Sequence, residues 1–336
     1  MKHLRLIPLV VPLALVACGG GGGSGTAGVV IPEGVRDLPA STGSNISADN
    51  YASFATPAAR LVLGASGSSL VGMLAAGRES PAALAGDARR GLLTRALAQG
   101  AATLGRERPQ ATGTQTQACD VSGTMTVSAD DADANQRLSA GDSVFVSVNQ
   151  CTFVAGDPPL KGTFSMFVNA VELDGNLDPT AIDTNGDFAG FTVGSVASLD
   201  GAFHLWYRQD SATSERMRLS FDRVNSTVAG QTARYNVDMV ATASATGASY
   251  AIDGSIDLDG ETYKVVQGPP FTVPAGSALP SVGALDLKDA LGDTMRLEAR
   301  AGNLVGVVFV PAGSGTLSVV PCPAPVPVSS AAPVPG

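Results

Sequence analysis

The stretch that decides the fold is Arg216-Met217-Arg218-Leu219-Ser220-Phe221-Asp222, in which polar and apolar residues alternate one by one. Successive side chains of a β-strand point to opposite faces, so this alternation predicts a strand with one buried face and one solvated face. The same period of two recurs over residues 144–148, 164–168, 235–239 and 305–309. The sequence therefore predicts many strands of one kind, each amphipathic across its two faces.

Short turn signals stand between these strands, such as Gly141-Asp142, Asp174-Gly175 and Asp259-Gly260. Asp and Gly tolerate the backbone angles of tight turns, and short links between alternating strands are typical of antiparallel hairpins. Low aromatic content and charged outward faces argue against a transmembrane barrel. The prediction is a mainly β fold, an antiparallel meander of about eight to twelve strands that forms a curved sheet or barrel-like body packed on a helix.

A small helical part is predicted ahead of the strands. Thr56-Pro57 and Ser80-Pro81 each place a hydroxyl residue before a proline, which is the pattern of a helix start. Apolar residues then recur at helical spacing over residues 81–104, with arginines among them. This amphipathic helix either packs its leucines on the sheet or docks on a membrane surface or a partner.

The ends of the chain differ from its body. Met1 to Arg5 is basic, and Leu6 to Val16 is an apolar run shorter than the roughly 20 residues that span a bilayer. That layout predicts an export signal over residues 1–17. Residues 321–336 are rich in proline and cannot pair in a sheet, so they are expected to form a disordered tail.

The apolar run closes with Leu15-Val16-Ala17-Cys18, which resembles the lipobox of bacterial lipoproteins. The resemblance implies cleavage before Cys18 and a lipid on its thiol, so that the protein is anchored to a membrane. Gly19 directly after the cysteine implies the outer membrane of the bacterial envelope, because an Asp at that place favours the inner one. Gly19 to Gly25 would form a flexible tether. The alternative is a plain secretory signal with a nearby cysteine.

By composition, the rest of the chain divides into a linker, a helical segment and a β domain. Residues 18–55 are expected to hold the anchor and a flexible linker, residues 56–118 the helical segment, and residues 119–320 the antiparallel β domain. The chain has 30 acidic against 21 basic residues, a net charge of −9. Nucleic acid is therefore not an expected partner, because phosphate binding needs clustered cations. Nucleotide-binding glycine motifs are absent from the sequence.

Cys119 and Cys151 bracket a segment that is predicted to be a hairpin. An oxidising envelope compartment permits a disulfide, so these two cysteines are predicted to pair. Cys322 is left over in the proline-rich tail, either free or paired with another chain.

The segment from Cys119 to Thr152 contains Ser122-Gly123-Thr124, the acidic run Asp130 to Asp133 and, at its end, Asn149-Gln150-Cys151. It resembles part of the β-rich envelope lipoproteins of proteobacteria, a group without an assigned activity. The resemblance implies location and fold only.

Two strings, 174–178 and 183–187, have the pattern D-x-N-x-D, and 131–135 is a variant of it. Alternating oxygen ligands on a tight loop are what Ca²⁺ requires. The candidate ligands are Asp174, Asn176, Asp178, Asp183, Asn185 and Asp187. Phe188 and Gly194 depart from the calcium-loop pattern, and solvated turns explain the same strings. Calcium is therefore a possible cofactor, and no other is expected.

Beyond residue 3 the sequence contains one histidine, His204, so a His-based zinc site or a Ser-His-Asp hydrolase has little to draw on. No catalytic residue is predicted. Trp206 and Tyr207 are neighbours on a strand and point to opposite faces, so they cannot share one stacking platform. The expected function is that of a non-enzymatic, structural or binding lipoprotein with an envelope protein partner. The alternatives are a carrier of a small apolar ligand in a sheet cavity and an envelope hydrolase that uses His204.

Overall fold

The computed structural model describes residues 40–43, 46–65, 92–105, 112–153, 159–175, 179–194, 197–228, 231–275, 280–300 and 304–313. The predicted export signal, Cys18, the glycine tether, residues 81–91 of the predicted helix and the proline-rich tail with Cys322 lie outside the described residues. None of the described helices is long and apolar enough to cross a membrane.

Two helices and fourteen strands make up the described fold. The helices are α1 (Tyr51–Ala65) and α2 (Leu92–Leu104). The strands are β1 (Thr112–Ala118), β2 (Ser122–Asp130), β3 (Ser143–Thr152), β4 (Leu160–Leu173), β5 (Pro179–Val193), β6 (Ala197–Ser211), β7 (Ser214–Val228), β8 (Gln231–Ser244), β9 (Gly247–Leu258), β10 (Glu261–Gln267), β11 (Phe271–Pro274), β12 (Ala284–Lys288), β13 (Thr294–Arg300) and β14 (Leu304–Val310).

All fourteen strands belong to one antiparallel sheet. From β1 to β10 each strand pairs with the next in the chain, and β10 then pairs with β12, which is followed by β13 and β14. The short β11 pairs with β9 instead. The sheet is curved and does not close. The predicted fold class, a mainly β meander with a small helical part, is confirmed, although the sheet has more strands than expected.

The predicted alternation sets which face of the sheet is buried. Val144, Val146 and Val148 of β3 are buried, and so are Met217 and Leu219 of β7. Both helices pack on this same face, α2 against β1 to β3 and α1 against β12 to β14 and β9. We call it the inner face and the opposite side the outer face. A single continuous hydrophobic core fills the inner face.

Helix α2 lies close to the sheet because Gly100 faces Val144. A Cβ built on Gly100 would come within 3.0 Å of the Val144 side chain. Leu93 and Leu97 are fully buried, and Arg95 reaches out to Asp120 at 2.8 Å. The described part of the predicted amphipathic helix therefore packs its leucines on the sheet and turns an arginine to an acid of the β region.

Helix α1 begins earlier than the sequence indicated. Thr56-Pro57 was expected to start it, but the helix begins at Tyr51 and carries Pro57 inside. Proline lacks an amide hydrogen, so the turn before it loses one hydrogen bond. The helix is held from outside as well, because the buried Tyr250 hydroxyl donates to the Val62 carbonyl at 2.9 Å. Burial raises the pKa of Tyr250, which keeps this donor protonated.

The segment before α1 is docked on the sheet, although residues 18–55 were predicted to form a flexible linker. The Ile46 amide donates to Asp289 Oδ2 at 2.9 Å, and Ile46 is fully buried. The amides of Thr42 and Gly43 both donate to the Thr262 carbonyl at 2.9 Å. The described part of this segment is thus a strap across the C-terminal strands. Its partners are over 200 residues away, which is why local sequence patterns do not indicate it.

The predicted pairing of Cys119 and Cys151 is confirmed. The two residues are joined in a disulfide, with their Cα atoms 5.5 Å apart. Cys119 follows β1 and Cys151 lies near the end of β3, so the bond ties the first three strands together.

We expect loss of this disulfide to lower the free energy of unfolding by about 3 to 4 kcal/mol, because it closes a loop that costs the unfolded chain entropy. The measurement is urea denaturation of a Cys119→Ser, Cys151→Ser double variant. The matched control is Cys322→Ser, which removes a thiol outside the described fold. Equal midpoints for the two variants would contradict the prediction.

Candidate functional site

A groove crosses the outer face of the sheet from β3 to β7. Its volume is about 420 Å³. It is lined by Ser143, Ser165, Met166, Phe167, Asn185, Gly186, Asp187, Ala202, Phe203, His204, Ser220 and Asp222. Because neighbouring strands lie about 4.8 Å apart, a groove that crosses five strands is about 19 Å long. This length suits an extended ligand better than a compact one.

Two rows of outward side chains form the walls of the groove. Strand register places Ser143, Phe167, Asn185, His204 and Ser220 next to one another in the first row. The same register places Ser165, Asp187, Ala202 and Asp222 in the second row. Met166, Gly186 and Phe203 alternate with these residues along their strands, so the floor between the rows is sheet backbone. Pairing across five strands, rather than any one loop, builds the site.

The second row contains a gap where its side chains are smallest. Ala202 on β6 stands opposite Asp187 on β5 and opposite Asp222 on β7. A methyl group between two carboxylates leaves the acids facing open space. Two strand spacings separate the Asp187 and Asp222 positions, or about 10 Å.

Several polar groups in the groove have no partner within the described residues. Asp187 has neither a hydrogen bond nor an ion pair there, and Asp222 has only a 3.4 Å ion pair with Arg223, whose side chain is 75% exposed. Ser220 is only 5% exposed, and its hydroxyl makes no hydrogen bond to any described residue. Ser220 lines the groove, so its hydroxyl and the Asp187 carboxylate are available to a polar ligand.

Aromatic residues stand at the β3–β4 end of the groove. Phe167, in the first row, is 49% exposed, and Phe145, paired with Ser165, is 50% exposed. Large side chains this exposed on a sheet face offer apolar contact to a ligand. The groove is therefore aromatic at one end and acidic towards the other.

His204 is the most constrained of the lining residues. Its Nε2–H donates to Asp183 Oδ1 at 2.7 Å, and Asn169 Nδ2 donates to the same oxygen at 2.8 Å. The ring stacks on Trp206 with centroids 3.5 Å apart. These contacts fix the imidazole in one orientation beside the groove. No described hydroxyl is hydrogen-bonded to it, although the register places Ser220 opposite it on β7.

A buried ion pair also lies against Trp206. The Arg218 guanidinium lies 5.3 Å from the indole centroid, and Arg218 Nη2 donates to Asp238 Oδ2 at 2.9 Å. The two charged side chains are only 6% and 3% exposed. His204 and Arg218 both contact the indole, so Trp206 is part of a packed cluster beside the groove. Tyr207 packs towards the core, as its position next to Trp206 predicts.

We expect Asp238→Ala to lower the free energy of unfolding by about 3 to 5 kcal/mol, because it leaves the Arg218 charge buried without its carboxylate. Chemical denaturation measures this change. In the matched control, Arg218→Met with Asp238→Leu, both charges are replaced by apolar groups, and stability returns close to that of the wild type. A free energy of unfolding for Asp238→Ala within about 1 kcal/mol of the wild type would contradict the prediction.

The calcium candidates of β5, Asp183, Asn185 and Asp187, do not come together around one point. Residues 183–187 were expected in a tight loop, and this was wrong, because the whole string lies within β5. Asp183, Asn185 and Asp187 share one face of that strand, where successive side chains of a face lie about 7 Å apart, too far to surround one ion. Asp174 follows β4 near a turn, and Asn176 and Asp178 lie outside the described residues.

The variant string at 131–135 does bring carboxylates together. Asp131, Asp133 and Asp142 have ligand oxygens within 4.8 Å of one another. These oxygens are engaged by the loop itself, since Asp142 accepts from the Ala132 and Ser139 amides and Asp131 accepts from the Gln136 amide. Burial raises the pKa of Asp142, and the hydrogen bonds that it accepts oppose that rise. The cluster accounts for the shape of this loop, and calcium stays a prediction.

The sequence singled out part of the groove and missed the rest. The sequence predicts Asn185 and Asp187 as calcium candidates and shows His204 as a lone histidine. It does not point to five other lining residues: Ser143, Ser165, Ala202, Ser220 and Asp222. Their shared signal is a polar or small residue at outward positions of consecutive strands, and it becomes visible only when the register is known. No protein-family model, curated protein or solved structure matches this chain.

Proposed function

We propose that the protein is a lipid-anchored binding protein of the bacterial envelope and that the groove from β3 to β7 is its ligand site. The observation that carries the binding role is the groove itself, a concave site with the unpartnered polar groups of Asp187 and Ser220. The anchor at Cys18, attachment to the outer membrane and a partner in the envelope are part of the proposal. They rest on the lipobox-like sequence and on the disulfide, a bond that is typical of exported proteins.

A binding role fits the groove better than a catalytic one. Within the described residues, the His204 ring is hydrogen-bonded to a carboxylate and stacked on Trp206, with no nucleophile bonded to it. A histidine base activates the nucleophile to which it is hydrogen-bonded in the reacting complex. The helix-covered inner face carries a continuous core, so we place the ligand site on the outer face and not in an apolar cavity of a carrier.

For the anchor, we expect the full-length protein to incorporate labelled palmitate in a bacterial host. Cys18→Ser is expected to lose the label and to leave the membrane fraction. The matched control is Cys322→Ser, which keeps both label and membrane attachment. Labelling that persists in Cys18→Ser, or an unlabelled wild type, would contradict the anchor.

For the groove, the single tryptophan of the chain provides a direct signal. Trp206 stacks on His204, which lines the groove, so a bound ligand is expected to change the emission of the full-length protein. Three probes represent three classes of polar ligand. They are the N-acetylated chitin tetramer as a neutral sugar, spermidine as a polyamine and acetyl-Lys-Gly-Gly-Lys-amide as a basic peptide. We expect at least one of them to give a saturable change.

The blocking variant is Ala202→Arg, which places a long side chain between the two rows. It is expected to abolish the saturable change, because the groove is then filled. The matched control is Ala251→Arg on β9, a residue that lies on the same face outside the groove lining. Circular dichroism confirms that both variants fold. Equal responses in the two variants, or no response in the wild type, would overturn the groove as a binding site.

A further inference from the structure

Building on the proposed groove, we propose that its ligand is a chain that carries two ammonium or guanidinium groups about 10 Å apart, one for Asp187 and one for Asp222. A free polyamine and a lysine- or arginine-bearing peptide segment share this chemistry.

The first support is the charge of the lining. Asp187 and Asp222 are carboxylates, and the lining contains neither Lys nor Arg. His204, the one lining residue that could carry a positive charge, is turned to Asp183. The nearby Arg218 is buried against Asp238, and Arg223 makes only an exposed contact with Asp222. Exposed ion pairs contribute little, so Arg223 does not replace a ligand cation.

The second support is the hydrogen-bonding character of the other lining groups. Ser220 and Ser165 present hydroxyls, and Asn185 presents an amide whose Nδ2 is directed to Asn169 Oδ1 at 3.3 Å. Hydroxyl and carbonyl oxygens accept hydrogen bonds from a cation and from the amides or hydroxyls next to it. The Ser220 hydroxyl lies two residues, or about 7 Å, along β7 from Asp222, so it is placed to accept from a donor next to the cation. A ligand rich in donors satisfies these groups together.

The third support is the spacing of the acids and the aromatic end. Ala202 keeps the two carboxylates apart and the space between them open. An extended ligand anchored by two cations continues over the remaining strands towards Phe167 and Phe145. An aromatic face attracts a further cation or packs against an apolar portion of the chain. Anion-bearing ligands are disfavoured, because both carboxylates would repel them.

The test uses Trp206 emission of the full-length protein at low salt. We expect spermidine or the acetyl-Lys-Gly-Gly-Lys-amide peptide to bind. We also expect putrescine, whose two amines are closer together, to bind about tenfold more weakly. Asp187→Asn and Asp222→Asn are each expected to weaken binding about tenfold, a factor that equals 1.4 kcal/mol. Binding is also expected to weaken as salt is added.

The matched control is Asp259→Asn, which removes the same charge at the β9–β10 turn, away from the groove. Asp259 has a positive φ of 52°, a conformation that asparagine accepts, so the turn is kept. Affinity in this variant is expected to equal that of the wild type. An equal loss in all three variants would show attraction to net charge alone and would overturn the inference.

The outcomes separate this inference from the function on which it rests. Suppose that only the neutral chitin tetramer binds, that Ala202→Arg blocks its binding and that Asp187→Asn does not. The groove is then a binding site, and the inference of a dicationic ligand is wrong. If spermidine binds and the peptide does not, the source is a free polyamine, and the reverse result assigns a peptide segment. If no probe gives a response that Ala202→Arg abolishes, both the dicationic ligand and the binding role of the groove are refuted.

Discussion

Burial of one face of the sheet against two helices is the interaction on which the rest of the structure depends. A fourteen-stranded sheet that does not close must cover its apolar side with something other than itself. Here α1 covers the C-terminal strands and α2 the N-terminal strands, and the intervening core is continuous. Since the outward residues do not have to fill this core, the other side of the sheet can carry polar and charged groups across several strands.

The outer face uses that freedom in two ways. Between Asp183 and Asp238 it packs a line of charged and aromatic groups, in which Trp206 contacts both His204 and Arg218. The buried Arg218–Asp238 pair needs good geometry, which its 2.9 Å contact supplies. Next to this rigid line, the small Ala202 leaves the groove open. Side chains held in place beside the groove would keep the proposed binding site in shape before a ligand binds.

The sequence predicted the elements with a local signal and missed those that depend on distant contacts. Alternation at residues 217–221 fixed both the strand and its buried face, and two cysteines flanking a hairpin were enough to pair them. The seven residues of β1, which are mostly Thr, Gln and Gly, show little apolar alternation, so the strand was assigned to the helical segment. Asp183 to Asp187 has turn-forming residues inside a long strand, where pairing with β4 and β6 overrides their preference.

The docked strap before α1 has a consequence for the order in which the protein assembles. Nearly all strand pairs join neighbours in the chain, so hairpins can form early and extend the sheet one strand at a time. The contacts of Ser41, Thr42 and Ile46 are different, because they reach residues 262 to 289 and close a loop of more than 200 residues. Loop-closure entropy makes such contacts unfavourable until their partners are in place. Residues 41–46 are therefore expected to dock only after the last strands have formed.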